Sequence, residues 1–142
     1  MNKNQTLFRI LGVFLLASAS IWWSWVDSDP KCRALTCDNL DPINQRCDKD
    51  AVTIATDKFE NNIVELRYSI ACDSSWVRAD VPANSILYLE DINRKQFGRW
   101  TVPDKTNKIP GPQFGNMGQG KNFKACTQLP DNKKICTNST IP

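Results

Sequence analysis

Val64-Glu65-Leu66-Arg67-Tyr68-Ser69-Ile70-Ala71-Cys72 alternates apolar and polar side chains residue by residue. A period of two is that of an extended strand with one face buried, so Val64, Leu66, Tyr68, Ile70 and Cys72 are expected to share an inner face. Glu65, Arg67 and Ser69 then point outward. The same alternation directs the Cys72 sulfur inward, where a bridge to an earlier segment would be shielded. Shorter strand candidates flank this one at Ala51 to Thr56, Trp76 to Val81, Ser85 to Glu90 and Gln96 to Val102, each bounded by Gly, Pro, Asn or Asp. Phe123 to Cys136 reads as a hairpin turning at Pro130-Asp131-Asn132, and Lys105 to Lys124, with two prolines and four glycines, as a long loop. The fold class is therefore mainly β: a small antiparallel barrel or sandwich.

Ahead of the strands, Asp27 to Asp50 carries Pro30, Pro42 and three cysteines with no sustained apolar period, and is expected to be irregular and fixed by disulfides. Further upstream, Leu7 to Val26 is apolar apart from Arg9 and a few serines, and follows Lys3 with no acidic residue before it. That is the pattern of an export signal. Ala17-Ser18-Ala19 offers a cleavage site near Ala19, giving a secreted product. Ile10 to Val26 is also long enough, at about 25 Å as a helix, to stay as a membrane anchor, with Trp22, Trp23 and Trp25 at the interface. The domain organisation read from this is residues 1–26 as signal peptide or signal-anchor helix and 27–142 as an extracytoplasmic β domain. Lys3 and Arg9 remain on the cytoplasmic side in either case.

All six cysteines, Cys32, Cys37, Cys47, Cys72, Cys126 and Cys136, fall in the exported part. An even number in a small domain implies three disulfides, although six cysteines allow about fifteen pairings. Proximity favours Cys32–Cys37 and Cys126–Cys136 as local clasps, leaving Cys47 for Cys72. The spacing lacks paired C-x2-C knuckles and there is no histidine, which weighs against zinc; a C-x-x-C redox pair is absent as well.

The 142 residues fit one domain, and the absence of histidine removes imidazole-dependent nucleophile activation and phosphotransfer. Net charge is +3, yet Lys3 and Arg9 precede the apolar stretch, so the rest is nearly neutral and a nucleic-acid partner is not expected. Asp27 to Asn93 holds 7 basic and 13 acidic residues, whereas Arg94 to Pro142 holds 9 and 2. These halves attract across the fold, or the basic half forms a patch for anionic envelope polymers or lipid headgroups.

Cys37-x3-Asp41-Pro42-x4-Cys47, followed by Val64-Glu65-Leu66-Arg67-Tyr68-Ser69-x2-Cys72-x3-Trp76-Val77-Arg78-Ala79, resembles the YjfA-like bacterial family of unknown function, DUF2690. Cys32 fits its first cysteine, and Gly118-Gln119-Gly120 ahead of Ala125-Cys126-Thr127 resembles its closing segment. The resemblance spans residues 32–127 and implies an exported bacterial protein with a small disulfide-linked β domain. It brings no activity with it. Cys136 and the Pro110 to Asn116 loop depart from the family pattern.

Three residues stand out as possible binding groups. Arg67 and Arg78 can hold a carboxylate in a two-pronged contact, or stack on Trp76, or simply pair with Glu65 and Asp80 across the sheet. Trp76, Tyr88, Phe97 and Trp100 are either core aromatics or a platform for sugar rings. Glu65, Asp73, Asp80, Glu90 and Asp91 supply the carboxylates for a hydrolase if two of them face across a cleft. Asp38, Asp41, Asp48 and Asp50 lack the spacing of an EF-hand loop and read as loop acids. Asn4-Gln5-Thr6 and Asn138-Ser139-Thr140 match glycosylation sequons but carry little meaning in a bacterial protein. The function expected is non-enzymatic, without a cofactor: an envelope or secreted domain that binds an envelope polymer or protein, in contact with the membrane through residues 7–26 if these are retained. A carboxylate-dependent hydrolase or toxin-like effector is the alternative, and a carbohydrate-binding module the third reading.

Overall fold

The computed structural model describes residues 29–104 and 111–138, so residues 1–26, expected to be a signal peptide or signal-anchor helix, lie outside the described residues. Nine strands occur among these: β1 (Val52–Phe59), β2 (Asn62–Ser69), β3 (Ser74–Asp80), β4 (Ile86–Glu90), β5 (Gln96–Thr101), β6 (Gln113–Phe114), β7 (Gly118–Gln119), β8 (Lys124–Gln128) and β9 (Lys134–Cys136). They form two antiparallel sheets, ordered β1-β2-β3-β6 with β7 also on β3, and β5-β4-β8-β9. Of the two architectures expected, the open two-sheet arrangement is the one found; the strands do not close into a barrel.

The alternation in β2 does what its sequence dictates. Val64 and Leu66 are fully buried and meet Val77 and Ala79 of β3, Leu87 and Leu89 of β4, Ala125 of β8 and Ile135 of β9 between the sheets. Each apolar side chain of this size contributes about 1.5–3 kcal/mol when removed from water, so this layer drives assembly.

The strand ends earlier than its alternation implies. β2 stops at Ser69, and Ile70 to Asp73 make the turn into β3, with Ser69 opposite Ser74. Ile70 is consequently 70% exposed, and Cys72 turns away from the Val64–Leu66 core. Asp73 takes a left-handed backbone (φ 46°), a conformation Asp and Asn tolerate better than most residues, and this closes the turn.

The segment expected to be irregular forms a cap over the outer side of β3. Its only regular piece among the described residues is a single 3-10 turn, Ala34–Cys37. Disulfides link Cys32 to Cys37, Cys47 to Cys72, and Cys126 to Cys136. The first two enclose a second apolar cluster with Trp76 and Met117, against which Ala51 and Phe114 pack. Sheet β1-β2-β3 is thus sandwiched between the other sheet and the cap.

The stretch expected as a long loop supplies β6 and β7, each two residues long, which cover the free edge of β3. Met117 then binds the cap: its N–H donates to the Leu40 carbonyl and its carbonyl accepts from Asn39 N–H. The chain crosses β5 closely here. Gly98 has φ +57°, and a Cβ on it would sit 2.1 Å from the Asn116 carbonyl oxygen. The hairpin of β8 and β9 turns where expected, with Leu129 N–H bonded to Lys133 O and Asp131 Oδ1 accepting from Lys133 N–H.

Candidate functional site

Alternation places Glu65 and Arg67 of β2, and Trp76, Arg78 and Asp80 of β3, on the outer face of their sheet. The register sets Arg67 opposite Trp76 and Glu65 opposite Arg78. The three candidate binding residues therefore share one face, but the cap divides them.

Trp76 lies under the cap and is 1% exposed. Its indole Nε1 has no hydrogen-bond partner, so its role is packing and not recognition at the surface. Arg67 is committed to the start of β1, donating through Nη1 to Thr53 Oγ1 at 2.7 Å and through Nη2 to the Ala51 carbonyl at 2.8 Å. Arg78 alone remains open. Its Nη1 lies 3.2 Å from Glu65 Oε2, with side-chain exposures of 38% and 21%.

Beside that pair is a shallow pocket of about 140 Å³ lined by Ile63, Glu65, Arg78, Ala79, Asp80 and Pro112. Ile63 and Pro112 give it apolar walls, and two carboxylates and one guanidinium give it charge. Its volume is below the roughly 300–1,000 Å³ typical of sites that enclose a small molecule, and suits a single side chain or functional group.

Glu65 and Asp80 are brought together; the other candidate carboxylates are not. Asp73 Oδ1 accepts from Tyr68 Oη at 2.9 Å. Burial, followed by that hydrogen bond and the adjacent Asp73 charge, raises the Tyr68 phenol above its ordinary range. Glu90, buried on β4, accepts from Lys134 Nζ at 2.5 Å. That hydrogen bond raises the Lys134 ammonium, while burial raises the neighbouring Tyr88 phenol. Asp91 ties the β4–β5 turn, accepting from the N–H groups of Asn93 and Lys95. These contacts use the carboxylates as structural acceptors.

Three acids of the cap are used in the same way, whereas Asp48 Oδ1 is buried without a hydrogen-bond partner. Asp41 Oδ1 accepts from Ile43 and Asn44 N–H, Asp38 from Gln119 N–H, and Asp50 from Ser69 Oγ and Ala71 N–H. Among the described residues the one group with metal-ligand proximity is made of Cys32, Cys37, Cys47 and Cys72.

The aromatics do not form a platform. Tyr88 is buried, and Phe97 and Trp100 pack partly against the inter-sheet core. Phe97 also meets Phe123 at 5.5 Å between ring centroids. Phe59, which the sequence reading did not single out, is partly exposed at the end of β1 with Lys133 Nζ 4.0 Å from its ring centre.

No curated protein and no solved structure matches the chain. The family model described as a protein of unknown function, DUF2690, matches residues 35–109, which include the cap from Leu35 onward, β1 to β5, and both Arg67 and Arg78. The chain belongs to the DUF2690 family.

Proposed function

We propose that the protein is an exported, disulfide-stapled β domain that acts by binding a cell-envelope polymer or protein and not by catalysis. The observation that carries this reading is the disposition of its polar groups. Four of the five candidate carboxylates are engaged as structural hydrogen-bond or ion-pair acceptors, while Arg78 borders an open, charged pocket of side-chain size. Such a pocket, with Ile63 and Pro112 as walls, suits docking of one residue or headgroup of a larger partner. The three disulfides support an oxidising, extracytoplasmic location. The leader supports either membrane retention or release after cleavage near Ala19.

The hydrolase reading draws on a single feature, the presence of Glu65 and Asp80 in the same pocket. One experiment addresses location and role together. The full chain, expressed in an exporting bacterium, is alkylated before lysis and fractionated, and the envelope polymer or protein crosslinked to Glu65→Gln, Asp80→Asn and Arg78→Ala variants is compared. Six oxidised cysteines outside the cytoplasm, with crosslinking lost on Arg78→Ala whether or not the leader is retained, is the expected result. Free thiols in the cytosol would overturn the location, and turnover of envelope polymer abolished by Glu65→Gln would overturn the non-enzymatic role.

A further inference from the structure

Cys32, Cys37, Cys47 and Cys72 are all buried, and their four sulfur atoms lie within 4.8 Å of one another. The approach is not confined to bonded partners: Cys32 Sγ lies 3.8 Å from Cys47 Sγ across the two disulfides. A tetrahedral four-thiolate zinc centre has metal–sulfur distances of about 2.3 Å, which geometry converts to sulfur–sulfur edges of about 3.8 Å. The bonded pairs have Cα separations of 5.2 and 5.7 Å, so opening each bond to such an edge takes a side-chain adjustment and no rearrangement of the cap.

We propose that the same four sulfur atoms, when reduced, form a binding site for one soft divalent cation of the zinc type, so that the cap can be closed either by two disulfides or by a metal.

The donor set fits. Four thiolates without oxygen ligands favour zinc over the hard cations. A second observation comes from Trp76, whose side chain belongs to this cluster and whose buried Nε1–H has no acceptor in the disulfide form. A disulfide sulfur is a poor acceptor, whereas a metal-bound thiolate is a good one, and a donor in its outer shell stabilises it. Met117, Phe114 and Ala51 complete an apolar surround that limits exchange with solvent. Sequence spacing weighs against zinc where the ligands are neighbours along the chain. Here the ligands come from the cap and from the β2–β3 turn, and the fold itself brings them together.

Oxidation converts the metal form into the disulfide form. Four zinc–sulfur bonds break and two sulfur–sulfur bonds form, releasing one zinc ion and four electrons. Two molecules of a disulfide oxidant of the glutathione-disulfide class accept those electrons with four protons and leave as four thiols. In the oxidising compartment proposed above the disulfide form prevails, and the metal form belongs to the chain before oxidation.

The test uses the full chain reduced with a phosphine, freed of the phosphine by anaerobic desalting, and titrated anaerobically with cobalt(II). The expected result is the visible spectrum of a tetrahedral cobalt–thiolate centre saturating at one metal per chain, bleached by zinc and restored to the metal-free state by adding oxidised glutathione. Cys32→Ser and Cys72→Ser should each lose the band, and the Cys126→Ser/Cys136→Ser double variant should keep it. A reduced chain that is unfolded alone but folds on adding metal supports the site equally. Absence of a tetrahedral band, whether the reduced chain is folded or not, or a band that depends on Cys126 or Cys136 and survives Cys32→Ser, would overturn it.

Discussion

Trp76 and Arg67 are directly opposed on β3 and β2, and the cap closes over the indole while the guanidinium clamps the adjoining edge through Thr53 and Ala51. The pair that looks like an exposed cation–aromatic binding surface in one dimension is an internal support for the cap. Its two members are accordingly expected to respond to substitution as structural residues.

Trp76→Ala should destabilise the domain by about 3–5 kcal/mol, because it empties the centre of the cap cluster. Trp76→Phe should cost appreciably less, since it keeps most of the ring and removes a buried N–H that has no partner, a group whose burial costs about 1–3 kcal/mol. Chemical denaturation of the two variants checks the order; equal losses would contradict it.

Removing Cys47 and Cys72 together should lower stability more than removing Cys126 and Cys136 together. The sequence separations are 25 and 10. Chain-entropy arguments assign roughly 3.5 and 2.7 kcal/mol to closing loops of about those lengths. The first pair also anchors the cap cluster, so secreted yield and melting temperature should both follow this order.

Gly98→Ala should be among the most damaging changes outside the core. It places a side chain where φ is +57° and where the Asn116 carbonyl oxygen would be 2.1 Å away. The contact is with backbone, which has nowhere to retreat while Met117 is held to the cap, and backbone strain of this kind costs about 1–3 kcal/mol before the clash is counted. Thermal melting measured beside Gly111→Ala and Gly120→Ala, which share a positive φ (+154° and +82°) but where a Cβ meets nothing within 4 Å, separates the cost of the clash from that of the backbone conformation.

Stability should fall as pH rises above about 10. Lys134, held by Glu90, has its pKa raised from 10.5, so its contribution is complete below that value and is lost as pH climbs through the folded-state pKa. Tyr88, raised from 10.0 by burial, acts in the same direction, because the unfolded phenol ionises first. Glu90→Gln should flatten the alkaline slope of the melting temperature; an unchanged slope would remove Lys134 from the account.

The central strands were legible because their side chains alternate against a core that buries one face, and the turn at Asp131 and Asn132 because its residues suit that backbone. What was not legible depends on contacts between distant parts. Nothing in the run Val64 to Cys72 says that Ile70 begins a turn, since an apolar residue continues the period; only the pairing of Ser69 with Ser74 ends it. β6 and β7 are two residues each and have no period to detect, existing because β3 offers them an edge. The pocket was half legible. Pairing of Glu65 with Arg78 followed from adjacent strands, but Pro112 arrives from a stretch read as loop. The four-sulfur cluster was not legible, because its members are gathered only once the cap lies across β3.

The order of the two cap disulfides decides how the domain bears mechanical load. A pull applied at Pro30 reaches Cys32, skips residues 33–36 through the bridge to Cys37, and at Cys47 passes straight into Cys72. β1 and β2 both lie within the bypassed length, so tension cannot peel that hairpin while the sulfur bonds hold. Severing Cys47–Cys72 would put the hairpin in the line of force and add its length to the extension at rupture.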